Sequence, residues 1–196
     1  MRTNKEIEQI TNNILTQYLK KGGSYKTFEQ IMADKNIKFR EIKADSTAFV
    51  GALTKANNGQ VYIMVNNSID NSGRKNFTIA HELGHYFLSH SLKQGTFYCF
   101  DNQIVEEGIY KDPIEQEANH FATCFLMPEQ KIKSAFLSML RYSKKAKIKD
   151  YLYVKNDYTF GIWKGIKDDL MKRYGVSEAA LRYRLQQLNL VKFEFV

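Results

Sequence analysis

Hydrophobic positions recur at helical spacing from the start of the chain. Ile7, Ile10, Ile14, Leu15 and Tyr18 line one side of residues 4–20, and Gly22-Gly23 ends the run. A second, shorter helix is expected from Tyr25 to Asp34. From Ile37 to Asn66 the period changes. IKFREIK alternates, TAFVGALT is rich in β-forming residues, and Asn58-Gly59 is a strong hairpin signal before QVYIMVN. This pattern predicts an antiparallel sheet of about three strands. Helical spacing returns in FTIAHELGHYFLSH, residues 77–90, where Phe77, Ala80, Gly84 and Leu88 form an apolar strip beside Thr78, Glu82 and Ser89.

Further along, Asp112-Pro113-Ile114-Glu115 reads as a helix start, with Asp112 as N-cap, Pro113 at the first helical position and Glu115 reaching back as a capping box. Ala118, Phe121, Ala122 and Phe125 continue this helix, which should stop before Pro128. Between the two helices, LKQGTFYCF suggests a short strand, and Gln103 to Tyr110 an acidic loop over a cleft. After Pro128, KIKSAFLSML predicts another helix. The last third holds a helix, a Gly-Val-Ser turn with Ser177 as N-cap, and a second helix: a helix-turn-helix-like segment at 163–190. There Ile166, Leu170 and Tyr174 would pack on Ala180, Leu181, Leu185 and Leu188, leaving Arg182 and Arg184 outward for phosphate contact.

The stretch at 77–90 carries the chemistry. His81 and His85 are four apart and project from nearly the same side of a helix, so two imidazoles can grip one metal ion while Glu82 reaches a water on it. A catalytic zinc usually takes a third protein ligand and keeps one position open. The Gly and His of the metzincin continuation are absent, since Leu88 and Ser91 hold those places. His90, nine residues from His81, falls on the opposite side of the helix and reads as structural. A carboxylate on the second helix is the expected third ligand. Glu115 and Glu117 flank opposite edges of its apolar face, and periodicity does not choose between them. The cap occupies Glu115, which makes Glu117 the better candidate. Tyr86, Tyr98, Arg74 and His120 are each able to stabilise an oxyanion, and spacing selects none of them.

FTIAHELGHYFLSH followed by EQEANHFATCFLMP resembles the ImmA/IrrE family of zinc metallopeptidases, most closely over about residues 60–128. The resemblance implies zinc (Zn2+) on His81, His85 and Glu117, with Glu82 as catalytic base. It also implies a protein substrate, a helix-turn-helix transcriptional repressor cut to release the genes it silences. The expected fold is α+β, a zincin-like metallopeptidase core with a small antiparallel sheet over residues 1–130, followed by a mainly helical C-terminal region over 131–196. The three strands would also offer an edge along which an extended substrate can pair.

Composition adjusts this picture only at its margins. The length of 196 residues suits one domain or one with an appendage, and 43% hydrophobic content with mixed charge is ordinary for a globular protein. No apolar run approaches a membrane span, MRTNKEIEQ is not a signal peptide, and Cys99 and Cys124 are too few for a disulfide framework. Together these suggest a cytoplasmic protein without a membrane partner. Cys124 lies on the second motif helix and reads first as a small buried hydrophobe, with a metal-ligand role conceivable. The formal net charge of +8 is concentrated after Pro128, notably in RYSKKAKIKDYLYVK. That charge supports a competing expectation, a DNA-binding regulator using the C-terminal helices with a non-catalytic metal site.

Overall fold

A computed structural model describes residues 1–18, 28–46, 48–91, 95–100, 112–143 and 150–194. The expected helix end at Gly22-Gly23, the start of the second helix at Tyr25, the acidic loop at 103–110 and the lysines at 144–149 lie outside the described residues. The chain is mixed α+β and divides into two compact units, Met1–Phe125 and Leu126–Val196.

The first unit begins with α1 (Asn4–Gln17), started by a capping box in which Thr3 and Glu6 exchange side chain-to-backbone hydrogen bonds. Then follow α2 (Phe28–Asp34), β1 (Ile37–Ile42), β2 (Phe49–Lys55), β3 (Val61–Asn66), α3 (Ser72–Phe87), β4 (Thr96–Phe100) and α4 (Pro113–Leu126). The Asn58-Gly59 signal is borne out: Gly59 takes φ 82° in the turn between the antiparallel strands β2 and β3.

The sheet itself differs from the expected antiparallel three. It has four strands in the order β1-β3-β2-β4, and β1 runs parallel to β3, pairing Ile37 with Val61 and Ile42 with Asn66. Alternation in IKFREIK told which residues share a face, and such a pattern carries no information on neighbour or direction. β4 pairs antiparallel with β2 and forms one edge of the sheet among the described residues. A Thr54–Thr96 hydroxyl pair at 2.8 Å fixes their register.

Two close approaches bring the sheet and the two motif helices together. A Cβ at Gly51 on β2 would stand 2.6 Å from Thr78 Cγ2 and 3.4 Å from Glu82 Oε1. One at Gly84 on α3 would stand 3.1–3.2 Å from the Ala118 backbone and from Phe121 Cβ on α4. Glycine at 84 therefore lets α3 and α4 touch backbone to backbone, at the level of the two histidines. Phe87, Phe121 and Phe125 then stack in series, with ring centroids 5.8–5.9 Å apart.

The second unit holds α5 (Glu129–Tyr142), β5 (Leu152–Val154), α6 (Asp157–Tyr174), α7 (Glu178–Gln187) and β6 (Val191–Phe193). The strands β5 and β6 form a small parallel pair. Helices α6 and α7 are joined through Gly175, whose φ of 60° ends α6, and Ser177, whose side chain accepts from the Ala180 N–H. Ile166, Leu170, Ala180, Leu181 and Leu185 are buried as expected.

Arg184 is not outward. It is 1% exposed, and its Nε–H donates to the Met127 carbonyl oxygen at 3.1 Å. Its position on the buried Ala180-Leu181-Arg184-Leu185 stripe overrides the polarity of its side chain. Arg182 stacks on Phe193, 4.2 Å from the ring centroid. The expected role of Arg184 in phosphate contact is thereby withdrawn. Arg184→Ala should instead destabilise the second unit by about 2–4 kcal/mol, by opening a cavity and removing a hydrogen bond from Met127. Arg182→Ala should cost about 1 kcal/mol or less. Urea unfolding of the two variants checks this, and equal small effects would contradict it. Among the described residues, no helix is long and apolar enough to cross a membrane.

Candidate metal centre and active site

Asn71 starts α3 by accepting the Arg74 N–H, and every residue from Phe77 to His85 is buried. This burial places His81, Glu82 and His85 at the interface of α3 with β2 and α4. His81 Nε2 and His85 Nε2 lie 3.0 Å apart. Glu115, and not Glu117, joins them: its Oε2 is 3.1 Å from His81 Nε2 and its Oε1 3.5 Å from His85 Nε2. His81, His85 and Glu115 each offer a ligand atom, all within 4.8 Å of one another. Asp112 does serve the start of α4, accepting the Ile114 N–H at 2.9 Å. The expected capping role of Glu115 is corrected, because its carboxylate is spent across the α3–α4 interface.

Glu117 sits elsewhere. Its carboxylate accepts from the Arg2 backbone N–H at 2.6 Å and from Arg2 Nη1 at 2.9 Å, and its Oε2 lies 3.3 Å from His90 Nε2. His90 gets there because α3 ends at Phe87. Ser89 adopts φ 54°, and the His90 N–H bonds back to the His85 carbonyl at 3.1 Å. The expectation that His90 lies on the far side assumed a continuous helix. Its Nδ1 instead lies 2.9 Å from His85 Nδ1. The hydrogen bonds then read as one chain: Arg2 donates to Glu117, His90 Nε2–H to Glu117, and His85 Nδ1–H to His90.

On the other ring, His81 Nδ1–H donates to Asn119 Oδ1 at 2.9 Å. Asn119 is a residue the sequence reading missed. Its signal was available, since it lies four residues after Glu115 and so shares a helix face with it. With both Nδ1 atoms engaged as donors, both rings keep Nε2 as an acceptor.

The electrostatics follow from burial. The Glu82 carboxyl is fully buried, and the Leu53 N–H turns toward it without closing a hydrogen bond of standard geometry. Burial raises its pKa from 4.5 to about 8, with Glu115 adding to the rise and His81 partly offsetting it. Burial pulls His85 down from 6.5 to about 4, against the opposing pull of Glu115, so it is neutral at ordinary pH. Burial would raise Glu115 too, but an Nε2–H or positive charge on the two imidazoles outweighs it and lowers its pKa, a part that a cation would take where both Nε2 atoms are bare. For Glu117, burial is likewise outweighed, here by Arg2.

Two facing imidazole nitrogens and a carboxylate, with Glu115 Oε2 lacking a well-formed hydrogen bond, make a poorly satisfied cluster without a cation. Their separations of 3.0–3.5 Å match the edge of about 3.3 Å that a tetrahedral zinc with N and O ligands requires. The donor set therefore fits a metal ion. His120, considered above for oxyanion stabilisation, lies within 3.1 Å of the Asn4 carbonyl oxygen, and Tyr98 is exposed on β4.

The family model Peptidase M78, described as an IrrE N-terminal-like domain, matches residues 33–186. The chain belongs to this family. Comparison with curated proteins returns no match. Membership of Peptidase M78 makes the chain a peptidase, a hydrolase whose substrate is a protein, and it implies a metal. The matched span contains His81, Glu82, His85, Glu115 and Asn119, and in the second unit it ends within α7, at residue 186.

The buried Glu82 gives a prediction for the metal-free protein. A group whose folded pKa is raised above its unfolded value stabilises fully below the unfolded pKa, and that stability is lost as pH rises through the folded pKa. Metal-free protein should therefore lose on the order of a few kcal/mol between about pH 4.5 and pH 8, and Glu82→Gln should remove most of that slope. His85 acts oppositely below pH 6.5, in both proteins alike. Parallel stability curves for the two proteins, measured in a chelator by urea unfolding, would contradict the burial argument.

Proposed function

We propose that the protein is a zinc-dependent endopeptidase that cuts a helix-turn-helix transcriptional repressor and so relieves repression. The observation that carries the catalytic part is the convergence of His81, His85 and Glu115 beside the buried carboxyl of Glu82. In this reading Glu115, rather than Glu117, is the third ligand. Zinc, when held there, supplies a Lewis acid that polarises the scissile carbonyl and acidifies water.

The chain's own residues supply the rest. Asn119 and His90 fix the two rings with Nε2 as the ligating nitrogen. Glu82 is the general base. Its raised pKa leaves it protonated without a cation, and a neighbouring positive charge favours its ionised form, poised to accept a proton near neutral pH. One of its carboxylate oxygens takes the proton of the attacking water and delivers it to the leaving amine nitrogen. β2 brings Leu53 against Glu82, and β4 is the neighbour of β2 at the sheet edge. An extended substrate segment adding to β4 would be held by backbone hydrogen bonds that ask little of its sequence.

The repressor part rests on resemblance to the ImmA/IrrE family. It is tested by incubating the zinc-loaded protein with a helix-turn-helix repressor encoded beside it, and with unrelated proteins of similar size. One discrete cut in the repressor, absent with Glu82→Gln protein, is expected. An intact repressor alongside cleavage of a generic peptide would reject the substrate, and no cleavage of anything would reject the peptidase chemistry.

A further inference from the structure

The first residues of the chain are tied to both motif helices. Arg2 lies just ahead of α1, and its side chain is 38% exposed. Its backbone N–H donates to Glu117 Oε1 at 2.6 Å, its Nη1 to Glu117 Oε2 at 2.9 Å, and its Nη2 to the Leu88 carbonyl oxygen at 2.8 Å. One residue thus clamps α4 to the end of α3.

Each bond bears on the histidine pair. Leu88 caps the C-terminus of α3, where carbonyl groups carry partial negative charge and a guanidinium is favourable. The next residue, Ser89, has φ 54° and makes the turn that brings His90 back to His85. On the other helix, Glu117 Oε2 is shared by Arg2 Nη1 and His90 Nε2. An ionised carboxylate only accepts, so the His90 proton is on Nε2 and its Nδ1 is an acceptor. His85 Nδ1 faces that acceptor at 2.9 Å and donates to it. A neutral imidazole with its proton on Nδ1 keeps Nε2 as a lone pair, and His85 Nε2 is the atom facing His81 and Glu115. With its proton on Nδ1 instead, His90 would meet His85 donor to donor. His85 would then be driven to the Nε2–H form, which cannot ligate.

We propose that Arg2 is a positioning residue for the metal centre. By clamping Glu117 to the end of α3, it fixes the His90 proton on Nε2 and so keeps His85 Nε2 open to a cation. The inference rests on the reading of His85 as a metal ligand. The task suits arginine, whose fork of donors serves two acceptors at once, whereas a lysine brings a single ammonium on a flexible stem. His81 is oriented separately, by Asn119, so the influence of Arg2 is confined to one ring.

Two measurements on the full chain test it. Nitrogen NMR of the histidine rings, taken on metal-free protein in a chelator, should show the His90 proton on Nε2 in wild type and partly on Nδ1 in Arg2→Ala. Zinc affinity, read by competition with a chelator, should fall about 10- to 100-fold in Arg2→Ala. Arg2→Lys, which keeps the charge without the fork, should bind more tightly than Arg2→Ala. Adding Arg2→Ala to Glu117→Ala should cost no more than about twofold beyond Glu117→Ala alone, because both act on the same bond. Adding it to Asn119→Ala should multiply the two losses. A general loosening of the fold would lower affinity alike in both backgrounds. An unmoved His90 proton, an Arg2→Ala affinity within about twofold of wild type, or losses that multiply for Arg2 and Glu117 overturn the proposal. Zinc bound equally by wild type and by the double variant His81→Ala, His85→Ala would overturn the ligand assignment itself, and the His90 spectrum would still report whether Arg2 holds that ring.

Discussion

Glu82→Gln should lower peptide hydrolysis by at least about 100- to 10 000-fold while leaving the metal content of the protein at its wild-type level. The amide keeps the size and planarity of the carboxylate, so α3 and the contact with β2 should survive. It removes the atom that accepts the proton. Because Glu82 is fully buried and Glu115, the carboxylate grouped with the histidine pair, is the proposed ligand, little residual base catalysis is expected. The loss should fall on kcat more than on KM, since the proton moves only in the transition state. Turnover by the Gln variant within about tenfold of wild type would remove Glu82 from the base role.

The second large effect separates the two carboxylates of α4. Glu115→Ala should strip metal from the proposed catalytic cluster, because it deletes one of three proposed ligand atoms and leaves two imidazoles facing each other in a buried site. Glu117→Ala should keep the metal, with affinity reduced about 10- to 100-fold, since Glu117 acts through His90 on the orientation of His85. Equilibrium dialysis of both variants against buffered zinc reads the difference. Retention by Glu115→Ala with loss by Glu117→Ala would restore the assignment expected from helix capping.

The difference between the expected ligand, Glu117, and the proposed one, Glu115, shows where sequence reasoning ran out. Helices were legible because buried faces impose a 3.6-residue period, and the β2–β3 hairpin because Asn58-Gly59 supplies its turn chemistry. The two histidines and Glu82 were legible because their spacing on one helix is itself the geometry of the site. Choosing Glu115 or Glu117 needed the approach of α3 to α4 at Gly84, a tertiary contact that outweighed a local capping preference. His90 was misplaced for a similar reason. A left-handed serine at 89 ended the helix, and serine gives no signal of that kind. Arg184 was misread because charge was taken to mean exposure, whereas a backbone carbonyl and an apolar surround can house a guanidinium. The parallel pairing of β1 with β3 was beyond any pattern in the strand itself.

The account stands on which atoms hold the metal, and anomalous diffraction at the zinc edge from crystals of the zinc-loaded protein tests that most directly. A peak is expected at about 2.0–2.2 Å from His81 Nε2, His85 Nε2 and a Glu115 carboxylate oxygen, with the Glu82 carboxylate beside it but outside bonding distance. A peak bonded to Glu117 in place of Glu115, or no peak between the two histidines, would contradict it.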